Sequence, residues 1–248
     1  MANIKPGLVS VTFRKLNPEE IIGLCKQAGI SAIEWGSDVH AKDVESAKKI
    51  AELMKANDMR TVSLGSYYRA GTGQDFTPFL EIALALSAPN IRIWAGDKNP
   101  EDADAAYRAA VVADTQAACD MAAEHGIDIS FEYHGNTLTS TQRSTVLLLN
   151  EVDRKNVYSY WQPLGGTPHE QNLSNVKELC ELNKLKNIHV YYWTGGDRLP
   201  LGDGKDVWKQ YFTVAYGHCD SALLEFVIDD DPAKFLTDAA LLNDILGA

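Results

Sequence analysis

Four polar side chains lie within or at the end of apolar, strand-like runs in the second half of the chain: Glu132, Gln162, His189 and Glu225. Burying an unpaired carboxylate costs several kcal/mol, so Glu132 and Glu225 need a cation, a hydrogen-bond donor or water nearby. Each of the four, taken alone, is more often structural than functional. Together, two carboxylates, an amide oxygen and one imidazole form a donor set that suits Mn²⁺, Mg²⁺ or Co²⁺ and also accepts Zn²⁺.

The elements that must position these side chains are eight short β-rich runs, which alternate with helical patterns along the whole chain. The runs are residues 8–13, 32–35, 61–65, 91–95, 127–134, 157–162, 188–193 and 222–227. Eight is the number that a closed parallel barrel needs. No composition break divides the chain, so the sequence predicts an α/β fold: a (β/α)8 TIM barrel that forms a single domain over residues 1–248. Helix starts are predicted at Asn17-Pro18, Asn99-Pro100 and Asp231-Pro232, each a capping side chain before a proline.

Loop lengths indicate which end of the predicted barrel carries the functional site. Connections from helix into strand are short, whereas the connections from strand into helix over residues 66–75, 163–169 and 194–204 are long and rich in glycine and aromatic residues. In a βα barrel these loops lie at the carboxyl ends of the strands, where barrel enzymes keep their sites. The last four strands are neighbours about 4.8 Å apart. Their polar side chains are therefore predicted to converge on one metal ion there.

Composition limits the class of partner. The formal net charge of −11 argues against a nucleic-acid partner, which would require a basic face. No stretch resembles a signal peptide or is long enough to span a bilayer, and the four cysteines are widely spaced with no CxxC pair. We expect a cytoplasmic protein that acts on a small molecule, with no nucleic-acid or membrane partner. The oligomeric state stays open, a homo-oligomer included.

The chain resembles the xylose-isomerase-like TIM barrels, the sugar phosphate isomerase/epimerase superfamily, over essentially its whole length. The resemblance is densest at residues 9–14 (VSVTFR), 33–40 (IEWGSDVH), 91–96 (IRIWAG), 131–135 (FEYHG) and 224–226 (LEF). Similar members bind a divalent metal through Glu, Asp, His and Glu on the last four strands. The resemblance therefore implies metal ligation by Glu132, Gln162, His189 and Glu225. The family usually has Asp where this chain has Gln162, and a neutral amide implies weaker metal binding or a site that has lost catalysis.

The activity that the resemblance implies is metal-dependent isomerisation or epimerisation of a sugar or sugar phosphate. The metal acidifies a C–H bond between two oxygens of the open-chain substrate. Glu132 and Glu225 are the implied catalytic residues, which remove and return the proton through an enediolate. Proton transfer on both faces of one carbon gives an epimer, whereas transfer between neighbouring carbons gives an isomer. Both outcomes stay open.

The resemblance also implies contacts to substrate from the second strand and its loop. Glu34 and His40 are expected to reach substrate hydroxyls. The alternative for Glu34, held as nearly equal, is a structural ion pair with Arg14 or Arg92.

Aromatic and cationic residues near the predicted strand ends complete the expected pocket. Trp94 is one of several aromatic residues expected to form a wall that stacks on a sugar or excludes water. His134 follows Glu132 on the same strand face, because a strand has a period of two, and is expected to contact substrate or to orient a metal ligand. Arg198 is expected to hold a phosphate or carboxylate, and its alternative is a solvated loop arginine.

Three other functions compete with an isomerase or epimerase. A metal-dependent dehydratase or lyase acting on inositol- or keto-sugar-like substrates begins with the same proton abstraction. A sugar-binding barrel with a decayed metal site is the non-enzymatic alternative, and Gln162 is the residue that suggests it. The AP-endonuclease branch of the fold uses more His and Asp ligands and a basic surface, so six histidines and the charge of −11 argue against it.

Overall fold

Parallel strands close into a barrel in the computed structural model, which describes residues 4–247. The strands of that part of the chain are β1 (Lys5–Val9), β2 (Ala32–Gly36), β3 (Arg60–Arg69), β4 (Asn90–Trp94), β5 (Asp128–Phe131), β6 (Val157–Trp161), β7 (Leu185–Val190), β8 (Tyr192–Thr194), β9 (Asp197–Leu199) and β10 (Ser221–Leu224). The barrel has the order β1-β10-β7-β6-β5-β4-β3-β2, so it contains eight strands, and β8 and β9 form a separate hairpin. The predicted TIM barrel is confirmed.

Helices cover the outside of the barrel and alternate with its strands. They are α1 (Pro18–Gln27), α2 (Val44–Ala56), α3 (Thr77–Leu86), α4 (Ala105–Ala123), α5 (Gln142–Val152), α6 (His169–Glu181), α7 (Lys205–Ala215) and α8 (Pro232–Leu246). Between residues 4 and 247, no helix combines the length and apolar character needed to cross a membrane.

Helix capping follows the sequence at two of the three predicted starts. The Asn17 side chain accepts a hydrogen bond from the Glu20 N–H and thereby caps α1, and Asp231 caps α8. The predicted helix start at Asn99 is wrong, because residues Pro100–Asp102 form only a 3₁₀ turn and the chain is extended again at the next residue. Helix α4 starts later, where the Asp104 carboxylate accepts from the N–H of Tyr107.

The bounds of several predicted strands also differ from the structure, most clearly at the first, fifth and seventh. The first strand lies at Lys5–Val9, because its first residue already pairs with Ser221 of β10, and residues Ser10–Phe13 form a 3₁₀ turn. The predicted strand 127–134 ends at Phe131. The predicted strand 188–193 belongs to two elements, since β7 ends at Val190 and the chain then enters the β8–β9 hairpin.

We expect Gly7→Ala to destabilise the fold by about 1–3 kcal/mol, the usual cost of overpacking a dense interior. Gly7 lies on β1 between two neighbouring strands, where a Cβ atom would meet the Leu223 side chain and come within 2.9 Å of the Ala32 carbonyl oxygen. The free energy of unfolding in urea measures the effect. Gly23→Ala in the middle of α1, where no atom lies within 4 Å of an added Cβ, is the matched control and should stabilise by about 0.5–1 kcal/mol. Equal stability of the two variants would contradict this account.

Candidate metal centre at the barrel mouth

The four polar side chains singled out in the sequence meet at the carboxyl end of the barrel. Glu132, Gln162 and Glu225 each follow the last residue of their strand, and His189 lies one residue before the end of β7. The backbone ladder continues past two of these strand ends, because the N–H of Glu132 donates to a β4 carbonyl at 2.9 Å and that of Glu225 to a β7 carbonyl at 3.0 Å. Sheet hydrogen bonds thus fix the backbone that carries both carboxylates.

Three oxygen atoms surround one nitrogen of the His189 ring. Its Nδ1 lies 3.0 Å from Gln162 Oε1, 3.4 Å from Glu225 Oε2 and 3.9 Å from Glu132 Oε1. The ligand atoms of the two glutamates and the histidine all lie within 4.8 Å of one another. All four side chains are buried. One nitrogen and three oxygens, two of them from carboxylates, therefore share one small volume.

This donor set fits a divalent metal ion. Carboxylate and amide oxygens with one imidazole suit Mn²⁺, Mg²⁺, Co²⁺ or Zn²⁺, and the two carboxylates match the charge of the ion. Oε2 of Glu132 is already engaged, since it accepts from Arg92 Nη1 and from the indole N–H of Trp94. Its other oxygen, Oε1, remains for an ion. The residues that would hold the metal are Glu132, Gln162, His189 and Glu225.

An ion pair between Glu34 and Arg92 lies in the barrel interior against the ligands. Arg92 Nε donates to Glu34 Oε1 at 2.8 Å, and the two side chains are 3% and 0% exposed, respectively. Burial raises the pKa of Glu34, but the charges of Arg92 and His189 outweigh it and lower that pKa to about 2. The structure thus shows the alternative role of Glu34, an ion pair with Arg92, in place of the expected contact with a substrate hydroxyl. Arg14 pairs with Asp38 instead.

The metal-free site favours a protonated histidine. Burial lowers the pKa of His189, but the charges of Glu225 and Glu34 outweigh it and raise that pKa to about 10. An imidazolium cannot ligate a metal ion. Metal binding must therefore displace a proton from this ring.

A cavity of about 440 Å³ opens from the ligands toward the loops. Glu132, Gln162 and Glu225 form part of its lining, and aromatic side chains form much of the wall. The aromatic lining residues are Tyr191, Tyr192, Trp193, Trp208, Tyr211 and Phe226. A cavity of this size, with a few convergent polar groups and many aromatic ones, accommodates a small organic substrate.

Two residues expected at the substrate lie at the rim beside Glu132. His134 lines the cavity and stacks on Trp94, with ring centroids 5.1 Å apart and an interplanar angle of 15°. Trp94 is not among the lining residues, and its indole N–H donates to the Glu132 carboxylate. Trp94 thus holds the carboxylate of Glu132, a candidate metal ligand, whereas His134 faces the cavity.

The two other side chains expected to contact substrate, His40 and Arg198, bond to other residues of the protein. His40 Nδ1 lies 3.0 Å from Ser10 Oγ and Nε2 lies 3.2 Å from the Leu16 carbonyl oxygen. Because both ring nitrogens are engaged and His40 does not line the cavity, its expected contact with a substrate hydroxyl is not supported. Arg198 Nη1 donates to the Asp230 carboxylate at 2.6 Å. The guanidinium group expected to bind a substrate anion is therefore already paired with a carboxylate of the protein.

The cavity also includes features that the sequence reasoning missed. Phe226, next to Glu225, has a φ of +53°, and its N–H donates to Thr12 Oγ1 at 3.0 Å. The Arg198 guanidinium lies over the Phe226 ring, 4.9 Å from its centroid. The far wall includes His169, whose Nδ1 lies 2.9 Å from the Tyr211 hydroxyl. The only sequence signals for this wall were the long loop 163–169 and the aromatic residues of α7.

Replacing Gln162 by Asp should tighten the binding of Mn²⁺ by about tenfold or more, because the ion gains an anionic partner in a desolvated pocket. We also expect slower turnover, since added negative charge makes the bound ion a poorer Lewis acid. Titration of Mn²⁺ into the metal-free proteins measures the affinity. Gln162→Glu, which keeps the side-chain length, separates the effect of charge from that of reach. Equal dissociation constants in all three proteins, with only KM raised, would remove Gln162 from the metal ligands.

Comparison with known proteins agrees with this architecture. The family model described as xylose isomerase-like TIM barrel matches residues 22–215. The crystal structure of the IOLI protein with a zinc atom superposes with a TM-score of 0.77 at 16% identity, covering 98% of each chain. That likeness concerns the fold.

Two curated relatives are enzymes that act on different small molecules. The 3-dehydroshikimate dehydratase of Bacillus anthracis is 26% identical over an alignment of 167 residues that covers 62% of this chain and 60% of that protein. The 2-oxo-tetronate isomerase of Pectobacterium atrosepticum is 32% identical over an alignment of 156 residues that covers 61% of this chain and 50% of that protein. The chain thus spans between half and three fifths of the length of these relatives. With the family model matching more than half of its residues, the chain belongs to the xylose isomerase-like TIM barrel family.

Proposed function

We propose that the protein is a divalent-metal-dependent isomerase or epimerase that moves a proton beside the carbonyl group of a small sugar. The observation that carries the proposal is the convergence of Glu132, Gln162, His189 and Glu225 at the barrel mouth, where the first two and Glu225 line an open cavity. An ion held by these residues would stabilise the negative charge that develops on substrate oxygen during proton removal. The isomerase relative from Pectobacterium atrosepticum supports the same reaction class.

The two glutamates are the proton carriers in this proposal. Both line the cavity, and they reach it from strands on the two sides of β6 and β7. Arg92 and Trp94 hold Oε2 of Glu132, so Oε1, which has two lone pairs, is left for both the ion and the proton. Glu225 approaches His189 with its Oε2. A carboxylate on each side of a substrate carbon can take a proton and return one.

The charge of the cavity favours a neutral sugar over a sugar phosphate. Among its described lining residues, the acidic ones are Glu132 and Glu225, and none is Lys or Arg. Arg198, the residue expected to hold an anionic group, is paired with Asp230. The aromatic wall suits the C–H faces of a sugar.

A dehydratase is the second candidate function. The observation that favours it is the 26% identity to the 3-dehydroshikimate dehydratase of Bacillus anthracis over 62% of this chain. Dehydration begins with the same loss of a proton beside a carbonyl and ends with the departure of a β-hydroxyl in place of reprotonation. The same two glutamates serve both reactions.

A deuterium-exchange assay separates the two functions. Mn²⁺-loaded protein is incubated in D₂O with a panel of neutral ketoses, with their phosphates and with 3-dehydroshikimate. Deuterium in a recovered sugar, together with a new stereoisomer or a new carbonyl position, supports the proposal. Loss of water from 3-dehydroshikimate with no exchange into any sugar replaces it with the dehydratase. Binding of metal and sugar without either reaction would instead support the non-enzymatic alternative, a sugar-binding barrel that has lost catalysis.

A further inference from the structure

A buried ion pair between Glu34 and Arg92 contacts the candidate metal ligands from strands that carry none of those ligands. Glu34 comes from β2 and Arg92 from β4, and Gly65 of β3 lies between them. A Cβ atom at Gly65 would lie 2.8 Å from Glu34 Oε1 and 2.9 Å from Arg92 Nη2. The absence of a side chain at residue 65 is therefore what gives the ion pair its space.

Stability alone does not explain a buried ion pair of this kind. The cost of desolvating two charges often equals or exceeds their attraction, so well-packed apolar residues would hold the barrel at least as well. Both partners here are almost completely buried, at 0% and 3% exposure. The contacts of the pair indicate a further role.

The ion pair contacts two of the metal ligands at once. Glu34 Oε1, the oxygen bound by Arg92, also lies 3.7 Å from His189 Nε2. The Nη1 atom of Arg92 donates a hydrogen bond to Oε2 of Glu132. One pair, built on β2 and β4, therefore joins ligands from β5 and β7 across the barrel.

We propose that Glu34 and Arg92, in the space left by Gly65, are positioning residues that orient His189 and Glu132 for the metal; this rests on the metal-dependent function proposed above. The Glu34 carboxylate faces Nε2 and stabilises the tautomer with its proton on that nitrogen. The lone pair of Nδ1 is then directed toward the oxygens of Glu132, Gln162 and Glu225. Arg92 fixes one oxygen of Glu132 and leaves the other for the ion.

Glu34→Gln tests the proposal with little change in shape. We expect the affinity for Mn²⁺ to fall about 10–100-fold, the usual effect of losing a partner that orients a ligand. In the Zn²⁺-loaded protein, the ¹⁵N shifts of the His189 ring report which nitrogen carries the proton, and the Nε2–H signal should weaken or shift. Asp38→Asn is the matched control, because it removes a carboxylate from the ion pair with Arg14 outside the cavity lining. It should leave both readouts unchanged.

Gly65→Ala provides a second test that keeps every charge. The added methyl group displaces Glu34 and Arg92, so the affinity for Mn²⁺ should fall although all ligands are present. Near-UV circular dichroism checks that each variant is folded. Wild-type affinity and an unchanged His189 tautomer in Glu34→Gln would overturn the inference, whatever the effect on turnover. Loss of affinity in a protein that turns over no sugar would support the inference and count against the proposed reaction alone.

Discussion

Replacing Glu225 by Gln should lower the rate of proton exchange at the substrate carbon by roughly 10²–10⁴. The amide keeps the size of the side chain and an oxygen atom, but it cannot accept a proton at neutral pH. Glu132→Gln should have an effect of the same order, because the second carboxylate returns the proton in the proposed reaction. Incorporation of solvent deuterium into the substrate measures both rates.

Metal loss must be separated from the loss of a base in this experiment. Both glutamates are also proposed metal ligands, so the variants are assayed at saturating Mn²⁺, with the bound metal quantified. Glu151→Gln is the control, because Glu151 pairs with Arg108 on the outer helices. It should exchange at the wild-type rate. Wild-type exchange in a fully metal-loaded Glu225→Gln protein would show that Glu225 is not the base.

Metal affinity should depend steeply on pH and fall by about 100-fold between about pH 8 and about pH 6. The pKa of His189 in the metal-free protein is raised to about 10, so over this whole range the ring carries a proton that the metal ion must displace. Below that pKa each unit of pH lowers the apparent affinity about tenfold. Weakening on acidification is therefore the expected sign, and titrations of Mn²⁺ into metal-free protein across this range measure it.

Proton counting tests the same prediction independently. Calorimetric titration in two buffers with different enthalpies of ionisation gives the number of protons released for each ion bound, and about one is expected near neutral pH. Affinity that stays constant from pH 6 to pH 8, with no proton released, would mean that the His189 ring is already neutral or does not bind the ion.

The barrel and the set of four converging side chains could be predicted from sequence because both depend on local patterns. Apolar runs alternate with helical periods, and the polar anomalies fall on four consecutive runs. Parallel strands then bring their ends together whatever the details of packing. Strand order alone thus places Glu132, Gln162, His189 and Glu225 at one mouth.

The side-chain contacts between strands on opposite sides of the barrel could not be predicted in the same way. Sequence spacing shows that Glu34 lies on a strand, but not that the bare backbone of Gly65 lets Arg92 reach it from β4. The resemblance implies a substrate contact for His40, yet the backbone N–H of His40 donates to the Gly36 carbonyl and its ring Nε2 lies 3.2 Å from the Leu16 carbonyl oxygen. Such contacts depend on tertiary packing.

The β8–β9 hairpin has a sequence signal of its own, although the sequence pattern predicts a strand over residues 188–193 and a loop over residues 194–204. Gly195 and Gly196, with φ of +62° and +96°, form its turn. Two glycines between β-prone residues are the usual signature of a tight hairpin. The strands are only three residues long and pair only with each other, so the apolar pattern that marks a barrel strand is absent.

The left-handed backbone at Phe226 stores strain directly beside one of the four converging side chains. A bulky residue with φ near +53° costs about 1–2 kcal/mol, and this one directly follows Glu225. Glycine at residue 226 would adopt that conformation without strain, but it would lose the packing of the ring against a buried cluster that includes Val9 and Leu223. The strained residue supplies instead a ring that contacts Trp193 and Arg198 and a backbone tied to Thr12. Replacing Phe226 by glycine would therefore relieve backbone strain, remove these side-chain contacts and loosen the segment that carries the Glu225 carboxylate.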